Sequence, residues 1–389
     1  MALSFHIPYL PESIPFSIQV IGAIALLGLI YYIHLTVTAQ QPWPDIPVAS
    51  LSGRGLGPRS SWRKQGKNTV LHGLKTFDGP FQVLTGTGPK IILPNKFAEE
   101  LKTHPDLNFN KAVLPDFFTE LRGFEPFKLA SEDEQFLPEV VRVKLTQSLG
   151  LITNDLVDET TAAVHDIFGE DPEWHHTFIK QNVLDLVARL SSRVFLGPEL
   201  CRNARWLEIA KSYTINAFIS ARLLKLLPAL IRPLAHWVLP PNISLRRDVR
   251  DADKLIMPEV ERRKERAQKA LDAGMKPPKT ADTIGWMYEL AREKREQKDY
   301  VKHQLGLSMA AIHTTSEAIT QAMLDLVANL DIVQPLRDEI IQVIGNDGWS
   351  KTSLYRLRLM DSFVKESQRV HPPNFCKSCL ATHSILCLT

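Results

Sequence analysis

The sequence predicts a mainly α-helical protein with a small β-sheet near its amino end, behind a single N-terminal transmembrane helix. Three observations lead there. Phe16 to Thr38 contains no Asp, Glu, Lys or Arg. Two short apolar runs, FQVLTG and IILP, flank a GPK turn. From about residue 135 onward, apolar residues recur at spacings of three and four, the period of a half-buried helix.

The chain has 389 residues and is 44% hydrophobic, enough for a large core. A net charge of +3, with no basic run interleaved with aromatics, points away from nucleic acid. Four cysteines in so long a chain are no disulfide framework, which suits a reducing compartment.

Residues 1–40 read as a membrane anchor. The stretch IQVIGAIALLGLIYYIHL has the length of a bilayer-crossing helix, with Tyr31 and Tyr32 near one end. No Lys or Arg precedes Arg54; then Arg54, Arg59, Arg63, Lys64 and Lys67 follow closely. That asymmetry places the body in the cytosol. Residues 41–60 are rich in Pro and Gly and read as an irregular lead-in. The two apolar runs then predict a hairpin, and Asn95 is placed to cap the helix that follows.

VVRVKLTQSL, DETTAAVHDIF, FIKQNVLDLVARLSSRVF and RWLEIAKSYTINAFISARLLKLL are each helical in period. Gly197-Pro198 ends one of them. The charged stretches EVERRKERAQK and AREKREQKDY read as solvated faces with spaced ion pairs. The glycines of GRGLG lie in the lead-in, not between a strand and a helix, so they are no dinucleotide site.

Residues 301–330 predict one long helix running through the core, with His313, Thr314 and Thr315 at its centre. A mid-helix Thr can bond back to the carbonyl four residues earlier. A buried polar cluster otherwise needs partners or a task. Further on, Glu366 and Arg369 share a helix face three residues apart, and Pro372-Pro373 ends that helix. Singly, each signal is weak.

Together they are similar to the cytochrome P450 family. AAIHTTS resembles the oxygen-binding stretch of that family's long central helix. Ala310 and Ala311 match its small pair, Thr314 its Thr, and His313 stands where an acid is usual. ESQRVHP matches the E-x-x-R-x-x-P pattern through Glu366, Arg369 and Pro372, with Glu366 lying 52 positions after Thr314. VARLSSRVFLGPEL followed by WLEIAKSYT resembles the fungal secondary-metabolism branch, which includes diterpenoid oxidases. The likeness runs over roughly residues 45–375.

The resemblance implies a partial cytochrome P450 fold over 41–375, and haem as cofactor. It implies Thr314 in oxygen handling, His313 as a relay in the acid's place, and Glu366 with Arg369 as a buried structural pair beneath the haem. Arg142 falls where a basic residue grips a haem propionate, although Pro138 stands where the family has Trp. The implied partners are an NADPH-dependent haemoprotein reductase, a small apolar substrate with terpenoids in view, and the endoplasmic reticulum membrane, spanned once.

The pattern breaks off before the loop that carries the family's iron-binding Cys, so catalytic competence is not expected of these 389 residues alone. The tail 376–389 departs from the family. Cys376, Cys379, His383 and Cys387 are ligand types that suit zinc. Their spacing is tighter than a zinc knuckle's, and its turn glycines are lacking. The tail therefore reads as a frameshift or a translated intron, with no metal expected. Cys376 and Cys379 follow the E-x-x-R helix too closely to be the haem ligand. The competing reading is a non-catalytic membrane-anchored remnant, or a regulator that competes for the reductase.

Overall fold

The computed structural model describes residue 28 and residues 41–51, 57–85, 88–102, 104, 107, 114–132, 135–171, 173, 175–372, 378–380 and 385–387. The anchor expected at 1–40 lies outside the described residues save for Gly28. Among the described residues, no helix is long and apolar enough to cross a membrane. The chain divides into two units, Met1–Ile92 with Leu227–Ile231, and Leu93–Leu226 with Arg232–Thr389.

In the first unit, helix α1 (Pro58–Thr76) packs on the hairpin of β1 (Phe81–Thr85) and β2 (Gly88–Leu93). The hairpin is antiparallel, with Phe81 opposite Ile92 and Thr85 opposite Gly88. Gly73 permits the close approach: a Cβ there would overlap the Phe81 ring. The Pro-rich lead-in is irregular, as expected, but firmly bonded. The buried Gln82 side chain donates to the carbonyls of Trp43 (2.8 Å) and Ile46 (2.5 Å) and accepts from the Trp43 amide. Its backbone amide donates to Pro47 O at 2.8 Å.

The second unit is helical. Its elements are α2 (Ala98–Lys102), α3 (Glu125–Glu132), α4 (Phe136–Glu139), a π-helical turn (Val140–Leu145) and α5 (Thr146–Phe168). There follow α6 (Ile179–Leu196), α7 (Ala204–Leu226), α8 (Arg232–Val238), α9 (Pro240–Asp272) and α10 (Thr283–Lys294). The last helices are α11 (Tyr300–Ala328), α12 (Val333–Asp347), α13 (Lys351–Arg356) and α14 (Arg358–Val370). Strands β3 (Ser378–Leu380) and β4 (Ile385–Cys387) pair antiparallel. Asn95 does not cap a helix as expected. It sits inside a 3-10 turn, Asn95–Phe97, with Pro94 at the cap position and no side-chain cap bond.

The long central helix forms as one piece, capped by Asp299, which accepts from the Lys302 amide at 3.0 Å. At 29 residues it is about 43 Å long. It packs against α3, α6, α7 and α9. Gln304, near its start, donates to Phe195 O of α6 (3.1 Å) and to Thr283 Oγ1 of α10 (2.7 Å), and Thr283 donates to the same carbonyl at 2.8 Å. One buried polar knot thus fixes three helices.

Two charge networks brace the unit. Buried Glu159 accepts from Arg189 and from both Nε and Nη2 of Arg202, and Arg189 also holds Asp166 at 2.6 Å. Arg263 donates to both carboxylate oxygens of Asp282 at 2.7 Å, while Asp282 caps α10 through the Gly285 amide. Arg263 also pairs with buried Glu259. The stretch 259–269 is therefore not simply a solvated face: Glu259 and Arg263 turn inward where α6, α9 and α10 meet.

Candidate functional site

The resemblance directs attention to the middle of α11. Gln304, Ser308, Ile312, Ser316 and Thr320 recur every four residues and are all buried. Ala310 and Thr314 lie on the opposite, open side, also four apart. Small side chains there leave the helix backbone accessible to a flat group. The Thr314 hydroxyl donates to Ala310 O at 2.7 Å, the local bond a mid-helix Thr makes when no other partner is offered.

His313 is not brought beside Thr314. Consecutive helix positions diverge by about 100°. The His313 ring is half-buried against α7, with Nε2 donating to Lys211 O at 3.0 Å. The two side chains share no hydrogen bond: His313 bonds to Lys211 O and Thr314 to carbonyls of its own turn.

Glu366 and Arg369 pair as expected, through two parallel bonds of 2.7 Å from Arg369 Nε and Nη2. The bond from Arg369 holds the Glu366 carboxyl below its ordinary value. The expected burial is not met, because the side chains are 60% and 71% exposed and no described residue covers that face of α14. The helix itself is anchored by residues that sequence reading missed. Ser367 donates to Asp325 Oδ2 of α11 at 2.5 Å, and His371 lies 3.1 Å from the same carboxylate. Glu339 of α12 accepts from the Leu359 and Met360 amides at the start of α14. No local spacing signals any of these partners.

Arg142 lies on the π-helical turn, exposed and with no ion pair among the described residues. Its neighbour Lys144 instead reaches Glu289 (3.3 Å) and Glu293 (3.2 Å) on α10.

By the family resemblance, the open face of Ala310 and Thr314 would lie on the side of the haem ring where oxygen binds. The described side chains supply no thiolate for the other side. Cys201 is buried, its sulfur donates to Pro198 O at 3.5 Å, and burial followed by the Glu159 charge pushes its thiol up. Buried and bonded within its own turn, it presents no sulfur at the surface. Cys376 and His383 lie outside the described residues. Among the described residues, no group of three or more His, Cys, Asp or Glu side chains is placed to hold a metal ion.

Comparison with known proteins agrees with the pattern on α11 and α14. The profile of the family described as cytochrome P450 matches residues 155–377. Over 353 residues the chain is 43% identical to cytochrome P450 monooxygenase bsc2 of Alternaria brassicicola, covering 90% of this chain and 67% of that protein. It is 39% identical to cytochrome P450 monooxygenase bsc11 of the same fungus, covering 86% and 63%. With cytochrome P450 monooxygenase hepE of Aspergillus oryzae the identity is 37%, covering 94% and 67%. The chain spans about two thirds of the length of these relatives. On the profile match, these identities and the motifs on α11 and α14, the chain belongs to the cytochrome P450 family.

Proposed function

We propose that these residues form the oxygen-side body of a haem-thiolate monooxygenase that oxidises an apolar secondary metabolite, terpenoids included. The single observation that carries the proposal is the open Ala310–Thr314 face on the central helix, opposite the buried row of Gln304, Ser308, Ile312, Ser316 and Thr320. Haem, when bound, supplies the O2 chemistry. The chain's part is to present Thr314, whose hydroxyl can leave the Ala310 carbonyl for a water or an oxygen ligand. His313 positions α11 against α7 through Lys211 O. Electrons would come from an NADPH-dependent reductase.

The body sits on the cytosolic face of the endoplasmic reticulum membrane, anchored once by residues 16–38. The support is the uncharged run itself and the basic residues that follow it from Arg54. Residues 376–389 stand apart from the P450 body of 41–375.

Among the described side chains no sulfur is placed to hold haem, since the one cysteine side chain described is buried. That observation also favours a second reading, a non-catalytic chain that competes for the reductase. One experiment separates the two. The 389-residue chain is produced in membranes, reduced and exposed to carbon monoxide. The proposal expects no thiolate-type Soret shift from this chain, and a full shift once a thiolate loop from a relative is fused to it. A fused chain that still gives no shift favours the competitor, and then inhibition of a second P450 sharing the reductase is the expected result.

A further inference from the structure

We propose that a cavity between α9 and α10, far from Thr314, is a binding site for a small aromatic anion. The cavity has a volume of about 500 Å³ and lies among α9, the loop after it, α10 and the first residue of α11. Thr314 is 14 positions beyond Tyr300, about 21 Å along α11. The site is therefore distinct from the oxygen-side face.

The floor is apolar and aromatic. Val260 and Ala267 of α9, Ile284 and Tyr288 of α10, and Tyr300 line it, with Pro277 and Pro278 across the loop side. Tyr300 is buried, and burial followed by the neighbouring Tyr288 pushes its phenol up to about 12, so it stays neutral. Such a surface takes a flat ring.

The rim is cationic. Lys276, Lys279 and Arg292 line the cavity, stand exposed and have no ion pair among the described residues. Lys264 lies 5.2 Å over the Tyr300 ring, although it also reaches Glu261 at 2.9 Å. Arg263 and Arg266 line it too, and are committed to Asp282 and Glu259. The lining carboxylates, Glu289 and Glu293, are both engaged by Lys144. Three unneutralised cations above an aromatic floor favour a ring that carries a negative group. Glycine fixes the shape: Gly285 has no Cβ, and one there would collide with the Thr280 hydroxyl, pushing the loop off α10. The charged stretches at 259–269 and 291–300 thus bound one cavity.

The test is photolabelling of the full chain with 4-azidobenzoate and, separately, with its neutral methyl ester, followed by peptide mapping. The acid should label residues 264–300 about fivefold more than the ester does. Raising salt from about 0.05 M to about 0.5 M should remove most of that preference. The doubly substituted Lys276→Glu/Lys279→Glu chain, folded by circular dichroism, should lose it as well. Equal labelling by acid and ester, a preference that survives salt, or undiminished labelling of the variant would each overturn the proposal. The acid-to-ester ratio on the unsubstituted chain decides even if the variant fails to fold.

Discussion

Arg369 grips Glu366 through two parallel 2.7 Å bonds, yet both side chains stand mostly in solvent. Geometry of that quality at the surface contributes little to stability, because water screens the charges and two long side chains must be held still. Glu366→Ala in the 389-residue chain should leave the urea midpoint indistinguishable from that of the parent. A clear drop would show that something buries the pair in solution. Ser367→Ala should cost more, since it breaks the 2.5 Å bond to Asp325 that ties α14 to α11.

Glu159 is the contrasting case. It is 5% exposed and accepts from two arginines, one of them, Arg189, 10% exposed. Burial alone would raise its carboxyl, but the hydrogen bonds from Arg202 and Arg189 outweigh that and hold it below its ordinary value. Glu159→Ala leaves Arg189 with only the half-exposed Asp166, at a cost of about 3 kcal/mol. The sign in pH follows from the lowered value. The folded state binds fewer protons than the unfolded one just below the ordinary value of 4.5, so stability is lost as pH falls through that range. Glu159→Gln should flatten that part of a urea-midpoint profile. An unchanged slope would assign the acid sensitivity to other carboxylates.

Much of this fold is legible along the chain. The central helix shows in its unbroken apolar period, and the hairpin in two apolar runs around a turn. What is not legible is long-range. Lys144 finds Glu289 across 145 positions, and Ser367 finds Asp325 across 42. No periodicity encodes such pairs. Asn95 misleads because Pro94 before it starts a 3-10 turn, which places Asn95 inside the turn and not at its cap. Glu259 and Arg263 mislead because a run of charge looks the same whether it faces water or a second helix. At the site, the residue types at 310, 314, 366 and 369 could be read, but not the direction of His313. That direction depends on where α7 brings the Lys211 carbonyl.

His236 gives a second pH prediction. It is 2% exposed on α8, with Asn242 Nδ2 2.7 Å from its Nδ1. Burial, followed by the nearby Arg246 charge, lowers its value from 6.5 to about 4. The folded state keeps the ring neutral while the unfolded chain takes up a proton below 6.5. Stability is therefore full above that value and declines as pH falls toward 4. The drop between pH 7.5 and pH 5 should be roughly 2 kcal/mol. His236→Gln should remove this decline from guanidinium-unfolding midpoints taken over the same range. Persistence of the decline in the variant would mean that His236 is protonated, or reached by water, in the folded state.

Thr314 allows structure and function to be separated. Its hydroxyl is at an open helix face and bonds only to carbonyls of its own turn, Ala310 at 2.7 Å and Ala311 at 3.3 Å. Removing it buries no orphan, and Ala is the better helix former, by a few tenths of a kcal/mol. Thr314→Ala should therefore leave thermal stability unchanged or slightly higher. Any functional loss then reports on chemistry and not on folding. In the chain fused to a thiolate loop, Thr314→Ala should keep the carbon monoxide shift and substrate binding. Product formed per NADPH consumed should fall about tenfold, with peroxide released in its place, since an oriented proton donor is worth a factor of that order or more. Equal coupling in the variant and its parent would place proton delivery elsewhere on α11. Loss of stability in the 389-residue variant would instead mean that Thr314 is buried by contacts that the described residues do not include.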